Sequence, residues 1–228
     1  MLAGSFAAIS ATDGSYTLSD LSVTGYDAPV YDEDEGELVS GGVTHGAFSL
    51  QFLSSSGTTE SSYFWVDDGE LEKGWYDRNK VPASSVAIPG GQAMWIVGRG
   101  LSLVSAGAVN EEDIAFPTRL SGATAVGNGT PVDLTLGKLI VSGYDEPEYD
   151  EDEGELISGG VTHGAFSLQY LTSSGATESS YFWVDDGELT KGWYDRTKKA
   201  ANDVALDAGQ GVWIVGRGLT LQIPAPEL

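Results

Sequence analysis

Cysteine is absent from the sequence, which excludes disulfides, thiolate metal sites and a cysteine nucleophile. Basic residues are scarce: 11 Lys and Arg stand against 34 Asp and Glu, for a formal net charge of -23. Binding to a phosphate backbone or an anionic lipid surface relies on Lys and Arg clusters, so no nucleic-acid partner is expected. Histidine occurs only as His45 and His163. No run reaches the roughly 20 apolar residues of a membrane-spanning helix, so no membrane insertion is expected. The stretch from Met1 to Ile9 lacks the basic start of a secretory signal, and Gly4 and Ser5 break its apolar run. The phosphate-binding loop, the dinucleotide fingerprint, the Gly-x-Ser-x-Gly elbow and His-Glu-x-x-His are also missing.

What the chain does have, it has twice. Residues Gly25 to Arg78 recur as Gly143 to Arg196 at a constant offset of 118, and 47 of the 54 paired positions are identical. With 228 residues, this duplication argues for two units near the commonest domain size. The expected division is a first repeat over 1–107 that includes an arm at 1–15, a linker over 108–118, and a second repeat over 119–228. Thirty-one glycines, six Trp and ten Tyr fit a folded, turn-rich chain rather than a disordered one.

Hydrophobic periodicity points to strands throughout. Leu18, Leu21 and Val23 among Ser and Thr read as one or two short strands, matched by Leu134 to Val141 in the second copy. From Val43 to Leu53, the alternation of Phe48, Leu50 and Phe52 with Ser49 and Gln51 predicts a half-buried strand. The turn Ser54 to Thr58 and the run Ser61 to Val66 complete a hairpin. Gly91 to Val97 and Gly209 to Val215 suit strands buried on both faces, and each is followed by a last alternating strand. The only helical candidate, Asn110 to Ile114, is one turn long. The expectation is an all-β fold, a tandem duplication of two β-sandwich or jelly-roll-like domains.

Three sets of residues are candidates for chemistry. Asp32, Asp34, Glu35 and Glu37, with their twins Asp150, Asp152, Glu153 and Glu155, offer hard oxygen ligands beside a glycine that can fold the loop around Ca²⁺. Their spacing is not that of an EF-hand, and a plain solvated loop is the competing reading. Asp67, Asp68 and Glu70 are either a supplement to that site or a hairpin turn. Trp75, Tyr76, Trp193 and Tyr194 lie between Gly, Lys and Asp and are candidate platforms for a sugar ring, with packing beneath a loop as the competing reading, whereas Trp65 and Trp95 sit in apolar runs and read as core. One His per repeat, without a second ligand near it in sequence, reads as a strand-edge residue. Catalysis by paired carboxylates needs a cleft that keeps one acid protonated, and a solvated acidic run supplies none, so no enzyme is expected.

The segment Trp75-Tyr76-Asp77, followed by Pro89-Gly-Gly-Gln-Ala-Met-Trp95-Ile96 and by Leu103 before Gly107, resembles the repeat ending of uncharacterised secreted bacterial β-repeat proteins. Gly192 to Asp195 and Gly209 to Trp213 carry the same pattern. The resemblance covers about the last third of each repeat. It implies an exported, β-rich, non-catalytic chain and brings no active-site residues.

These readings combine into two functional expectations. The first is a non-enzymatic, self-assembling extracellular subunit of a filament, sheath or surface layer, stabilised by Ca²⁺ and exchanging its arm with a neighbouring copy. The second is a tandem carbohydrate-binding module with a glycan partner and avidity from two equal sites.

Overall fold

In the computed structural model the described residues are 4–8, 16–54, 56–88, 93–98, 100–105, 112–150, 152, 156–172 and 175–226. They form an almost purely β structure, with two single 3-10 turns at Leu18–Asp20 and Leu136–Lys138. The first repeat contributes β1 (Gly4–Ala8), β2 (Leu21–Thr24), β3 (Val30–Tyr31), β4 (Leu38–Ser40), β5 (Ser49–Leu53), β6 (Thr59–Val66), β7 (Gly74–Tyr76), β8 (Ala93–Val97) and β9 (Ser102–Ser105). Then come β10 (Ile114–Pro117), β11 (Ala123–Gly127), β12 (Leu134–Thr135), β13 (Ile140–Ser142), β14 (Glu148–Tyr149) and β15 (Leu156–Ser158). The chain ends with β16 (Val161–Leu171), β17 (Thr177–Asp185), β18 (Gly192–Tyr194), β19 (Ala205–Leu206), β20 (Gly211–Gly216) and β21 (Thr220–Ile223).

Each repeat builds a five-stranded antiparallel sheet in the same order, β1-β8-β5-β6-β7 and β11-β20-β16-β17-β18. The hairpin read from Phe48 to Val66 is β5 and β6, closed by Ser54 donating to the Thr58 carbonyl and Gly57 to that of Ser54. A smaller sheet faces each large one: β2 with β9 in the first repeat, and β10-β21-β13 in the second. Buried side chains gather into two clusters, one per repeat. Phe48, Leu50, Trp75 and Met94 centre the first, and Phe166, Leu168, Trp193 and Ile214 the second. Alternation decides which side chains these are: Phe166, Leu168 and Tyr170 fall on one face of β16 and are buried together, because successive residues of a strand face opposite ways.

Three local readings change. Leu18 does not extend a strand but packs, fully buried, from a 3-10 turn whose start Thr17 is held by the Asp20 carboxylate at 2.8 Å. Ile114, the end of the expected helical turn, opens strand β10, while 110 and 111 lie outside the described residues. Trp95 is only partly buried and lies at the junction of the repeats. There, a Cβ on Gly175 would come 3.3 Å from the Trp95 ring, and one on Gly57 would come 2.0 Å from the ring of Trp213. Gly57 and Gly175, like Trp95 and Trp213, are equivalent positions, so each repeat inserts its tryptophan against the hairpin turn of the other. β1 lies beside β11 and β20, and β11 beside β8, completing this reciprocal contact.

Candidate functional site

A polar hollow occurs at the same place in both repeats. Leu38, Thr44, His45, Asp68, Glu70 and Lys80 line the first, of about 230 Å³. Their six equivalents, among them His163, Asp186, Glu188 and Lys198, line the second, of about 290 Å³. Each side chain is positioned by local structure. His45 Nε2 lies 2.9 Å from the Asp77 carbonyl oxygen, with its ring 4.5 Å from that of Phe64, and His163 repeats both contacts with Asp195 and Phe182. Asp68 is 5% exposed, and its Oδ1 accepts from the backbone N–H groups of Glu70 and Leu71 at 3.1 and 3.2 Å. That bonding makes Asp67 to Glu70 a hairpin turn, one of the two readings open from sequence.

The cation enters each hollow from a strained turn. Lys80 and Lys198 have φ of 62° and 61°, in the left-handed region that costs a non-glycine residue about 1–2 kcal/mol. Asp77 holds this turn by accepting from the N–H groups of Asn79 and Val81, each at 2.8 Å. In the second copy, hydrogen bonds from the Thr197 hydroxyl and the Lys199 and Thr197 N–H groups keep the Asp195 carboxyl below its ordinary range. The ammonium groups face Glu70 at 4.0 Å and Glu188 at 3.8 Å, exposed pairs worth little to stability. The hollow thus presents imidazole, ammonium, hydroxyl and carboxylate groups to a small polar ligand. Sequence reasoning missed it because His45, Asp68 and Lys80 are far apart in the chain. Their recurrence at the 118 offset was the available signal.

A half-buried network lies beside it in the chain, at Asp67 and Asp185. Tyr26 donates to Asp67 Oδ2 at 2.9 Å, Trp65 Nε1 donates to the Tyr26 hydroxyl at 3.2 Å, and the Lys73 ammonium sits 2.8 Å from the same Asp67 oxygen. Tyr144, Asp185, Trp183 and Lys191 repeat the arrangement. Hydrogen bonds to Asp185 and Tyr144 push the Lys191 ammonium up to about 12.

The aromatic candidates are elsewhere, which corrects the platform reading. Trp75 is 1% exposed, Trp193 0%, Tyr76 5% and Tyr194 7%. Each Trp stands edge-on to a second Trp, Trp65 or Trp183, with ring centroids 5.4 and 5.7 Å apart. Tyr76 and Tyr194 turn their hydroxyls onto the carbonyls of Glu72 and Thr190. β7 and β18 are the last strands of their sheets, but the 3-10 turns Leu18–Asp20 and Leu136–Lys138 pack against them, so flanking Gly, Lys and Asp did not signal exposure.

The acidic loop Asp32 to Glu37 is exposed throughout. Asp32 Oδ1 is turned inward onto its own loop, accepting from Asp34 N–H at 2.8 Å and Glu35 N–H at 2.9 Å, and these bonds hold its carboxyl below the ordinary range. Gly36, at φ 68°, closes the loop with its N–H on the Asp32 carbonyl. In the second copy Asp152 N–H reaches Asp150 Oδ1 at 2.9 Å, while Glu153 and Glu155 lie outside the described residues. Among the described residues, no three His, Asp or Glu side chains converge as metal ligands. Nor is any helix there long and apolar enough to cross a membrane.

Comparison with protein-family models, curated proteins and solved structures finds no significant match.

Proposed function

We propose that this chain is a non-enzymatic structural subunit that assembles with copies of itself outside the cell by exchanging the strand Gly4–Ala8. The observation that carries this reading is the place of that strand. Among the described residues β1 is the outermost strand of its sheet and pairs with β8 alone, from Gly4 opposite Val97 to Ala8 opposite Ala93. An outermost strand leaves without unthreading any other. The same ladder re-forms on β8 of a neighbouring copy with every hydrogen bond kept, which makes exchange a low-cost route to a polymer. The reciprocal Trp95 and Trp213 contacts add support, because a surface that recognises another copy of the repeat already operates within the chain.

Calcium, in this reading, acts between subunits. The carboxylates of Asp34, Glu35 and Glu37 are exposed on a loop that Asp32 has already tied together, so a hard cation would complete its oxygen shell from a second copy.

The test is a cysteine pair, in a chain with no other cysteine, at Ala8→Cys and Ala93→Cys. After oxidation, denaturing gels should show a covalent ladder, and electron microscopy should show filaments or sheets that chelator disperses. Deletion of 1–15 should leave folded single particles. Intramolecular cross-links alone, with uniform single particles in calcium and in chelator, would defeat the proposal. The alternative, a tandem glycan-binding module, draws on the twin hollows rather than on Trp75 and Trp193. Binding on a glycan array that is lost on joint His45→Ala and His163→Ala substitution would favour it.

A further inference from the structure

The lysines that reach into the twin hollows stand where the backbone disfavours them. Among the described residues, Lys80 and Lys198 are the only non-glycine residues at positive φ, a conformation that glycine or asparagine would hold at less cost. The rest of the lining lies in the nearly identical stretches 25–78 and 143–196, so its recurrence follows from the duplication itself. Lys80 lies beyond them. From 79 to 85 the two copies differ except at Lys80 and Ala83, which recur as Lys198 and Ala201. Packing accounts for the alanines, which are 5% and 6% exposed in the two cores. It does not account for the lysines, whose side chains are 52% and 53% exposed and whose ion pairs to Glu70 and Glu188 are long. A residue held in strain without a packing reason marks a functional position.

The other groups of the hollow have bonding capacity to spare. Asp68 and Asp186 are 5% and 6% exposed; in each, Oδ1 takes the N–H groups of the turn, while Oδ2 takes no hydrogen bond among the described residues. A carboxylate so nearly buried is costly unless a donor meets its second oxygen. The Asp77 carbonyl can only accept, so His45 Nε2 donates to it, and in the neutral ring Nδ1 is left as an acceptor. His163 does the same against Asp195. Acceptors therefore outnumber donors: two carboxylates and an imidazole nitrogen face one ammonium group. Asp68 and Glu70 against Lys80 leave a negative balance, on a chain whose formal net charge is -23, so the hollow draws cations and repels anions. A bare metal ion is a poor occupant, since among the described residues no three His, Asp or Glu side chains converge.

We infer that each hollow binds a small organic amine whose ammonium-bearing carbon adjoins a carbon carrying oxygen, the N–C–C–O unit shared by 2-amino sugars and α-amino acids. The ammonium donates to Asp68 Oδ2 and His45 Nδ1, and Lys80 donates to the oxygen. Leu38 and Leu156 give the carbon skeleton an apolar side. Volumes of about 230 and 290 Å³ lie below those of pockets for drug-sized molecules, which suits a ligand of one ring or less. The site is independent of strand exchange. Within the glycan reading, it selects sugars with a free amino group.

The experiment titrates the isotope-labelled full chain with ethanolamine, glucosamine and glycine and follows its amide and imidazole resonances. Saturable binding at one site per repeat is expected, with a Kd of about 1 mM, as befits ligands of so few non-hydrogen atoms. Shifts should centre on 44–45, 68–70 and 80, and on 162–163, 186–188 and 198. N-acetylglucosamine and glucose, which lack the ammonium, should bind roughly tenfold or more weakly. Tighter binding of glucosamine than of glycine supports the inference with an amino sugar as the source, and the reverse supports it with an amino acid. Asp68→Asn keeps the Oδ1 that holds the turn and removes the charge, so it should weaken binding in the first hollow by about tenfold or more, while the unaltered second hollow reports an intact fold. Lys80→Gly relieves the strained turn and should weaken glucosamine binding by about fivefold or more without lowering the thermal midpoint. No saturable shift from any of the three amines, or affinities unchanged by both substitutions, would overturn the inference. Glucose bound as tightly as glucosamine would overturn it too, while leaving the glycan reading standing.

Discussion

Trp75 and Trp193 occupy equivalent positions in nearly identical cores, yet the structure makes their replacement by phenylalanine unequal. Trp75 Nε1 donates to the Leu21 carbonyl at 3.2 Å. Trp193 Nε1 is buried without a hydrogen-bond partner among the described residues. Both substitutions remove one ring from a packed site, a shared loss of about 1–2 kcal/mol, well under the truncation to alanine. Trp75→Phe also forfeits a hydrogen bond worth about 1 kcal/mol. Trp193→Phe removes an unsatisfied N–H that costs the folded state about 1–3 kcal/mol. The difference should be about 2–4 kcal/mol, with Trp75→Phe the more damaging and Trp193→Phe close to neutral. Urea denaturation followed by circular dichroism measures it: with a slope of about 2 kcal/mol/M, the two midpoints should separate by roughly 1–2 M. Hydrogen exchange in β7 and β18 assigns each loss to its own repeat. Equal destabilisation, or greater damage from Trp193→Phe, would refute the reasoning.

The junction offers a similar contrast. Gly57 and Gly175 both have positive φ, 78° and 81°, but only at Gly57 would an added Cβ fall within 2.0 Å of a tryptophan ring. Gly57→Ala should therefore displace Trp213 and red-shift its fluorescence, while Gly175→Ala should show only the backbone penalty of about 1 kcal/mol. Lys198→Gly should raise stability by about 0.5–1 kcal/mol on thermal unfolding, because it relieves the left-handed lysine and gives up only an exposed ion pair. The Lys191 ammonium is raised in the folded state, so its contribution is complete below the ordinary lysine range and fades as pH climbs toward about 12. Its side chain is 58% exposed and solvent screens the pair, so Lys191→Met should cost under about 1 kcal/mol at pH 8, and the gap to wild type should close between about pH 10.5 and 12.

Part of the candidate site was legible in the chain and part was not. The acidic run Asp32 to Glu37 had to be a surface loop, because so many adjacent carboxylates cannot be desolvated, and the structure places every one of them in solvent. Its internal bonding was not legible, since whether Asp32 faces a cation or its own backbone depends on φ and ψ over four residues. Trp75 was misread because its neighbours in sequence are polar, while the groups that bury it are distant in sequence: Leu21 from β2, Phe48 from just before β5, and Trp65 from β6. The error at Trp95 ran the other way: an apolar run concealed a ring that serves the junction between repeats.

The sequence alone determined the all-β class, the repeat and its offset, the hairpin of β5 and β6, the identity of most strands and the strongly acidic surface. All of these follow from the period of two, from turn chemistry and from composition, which act between residues close along the chain. Tertiary structure decided the rest. It tied the histidines, aspartates and lysines into twin hollows and set Trp95 and Trp213 against each other's repeat. These features depend on contacts between residues tens to more than a hundred positions apart, and no local pattern encodes which pairings win.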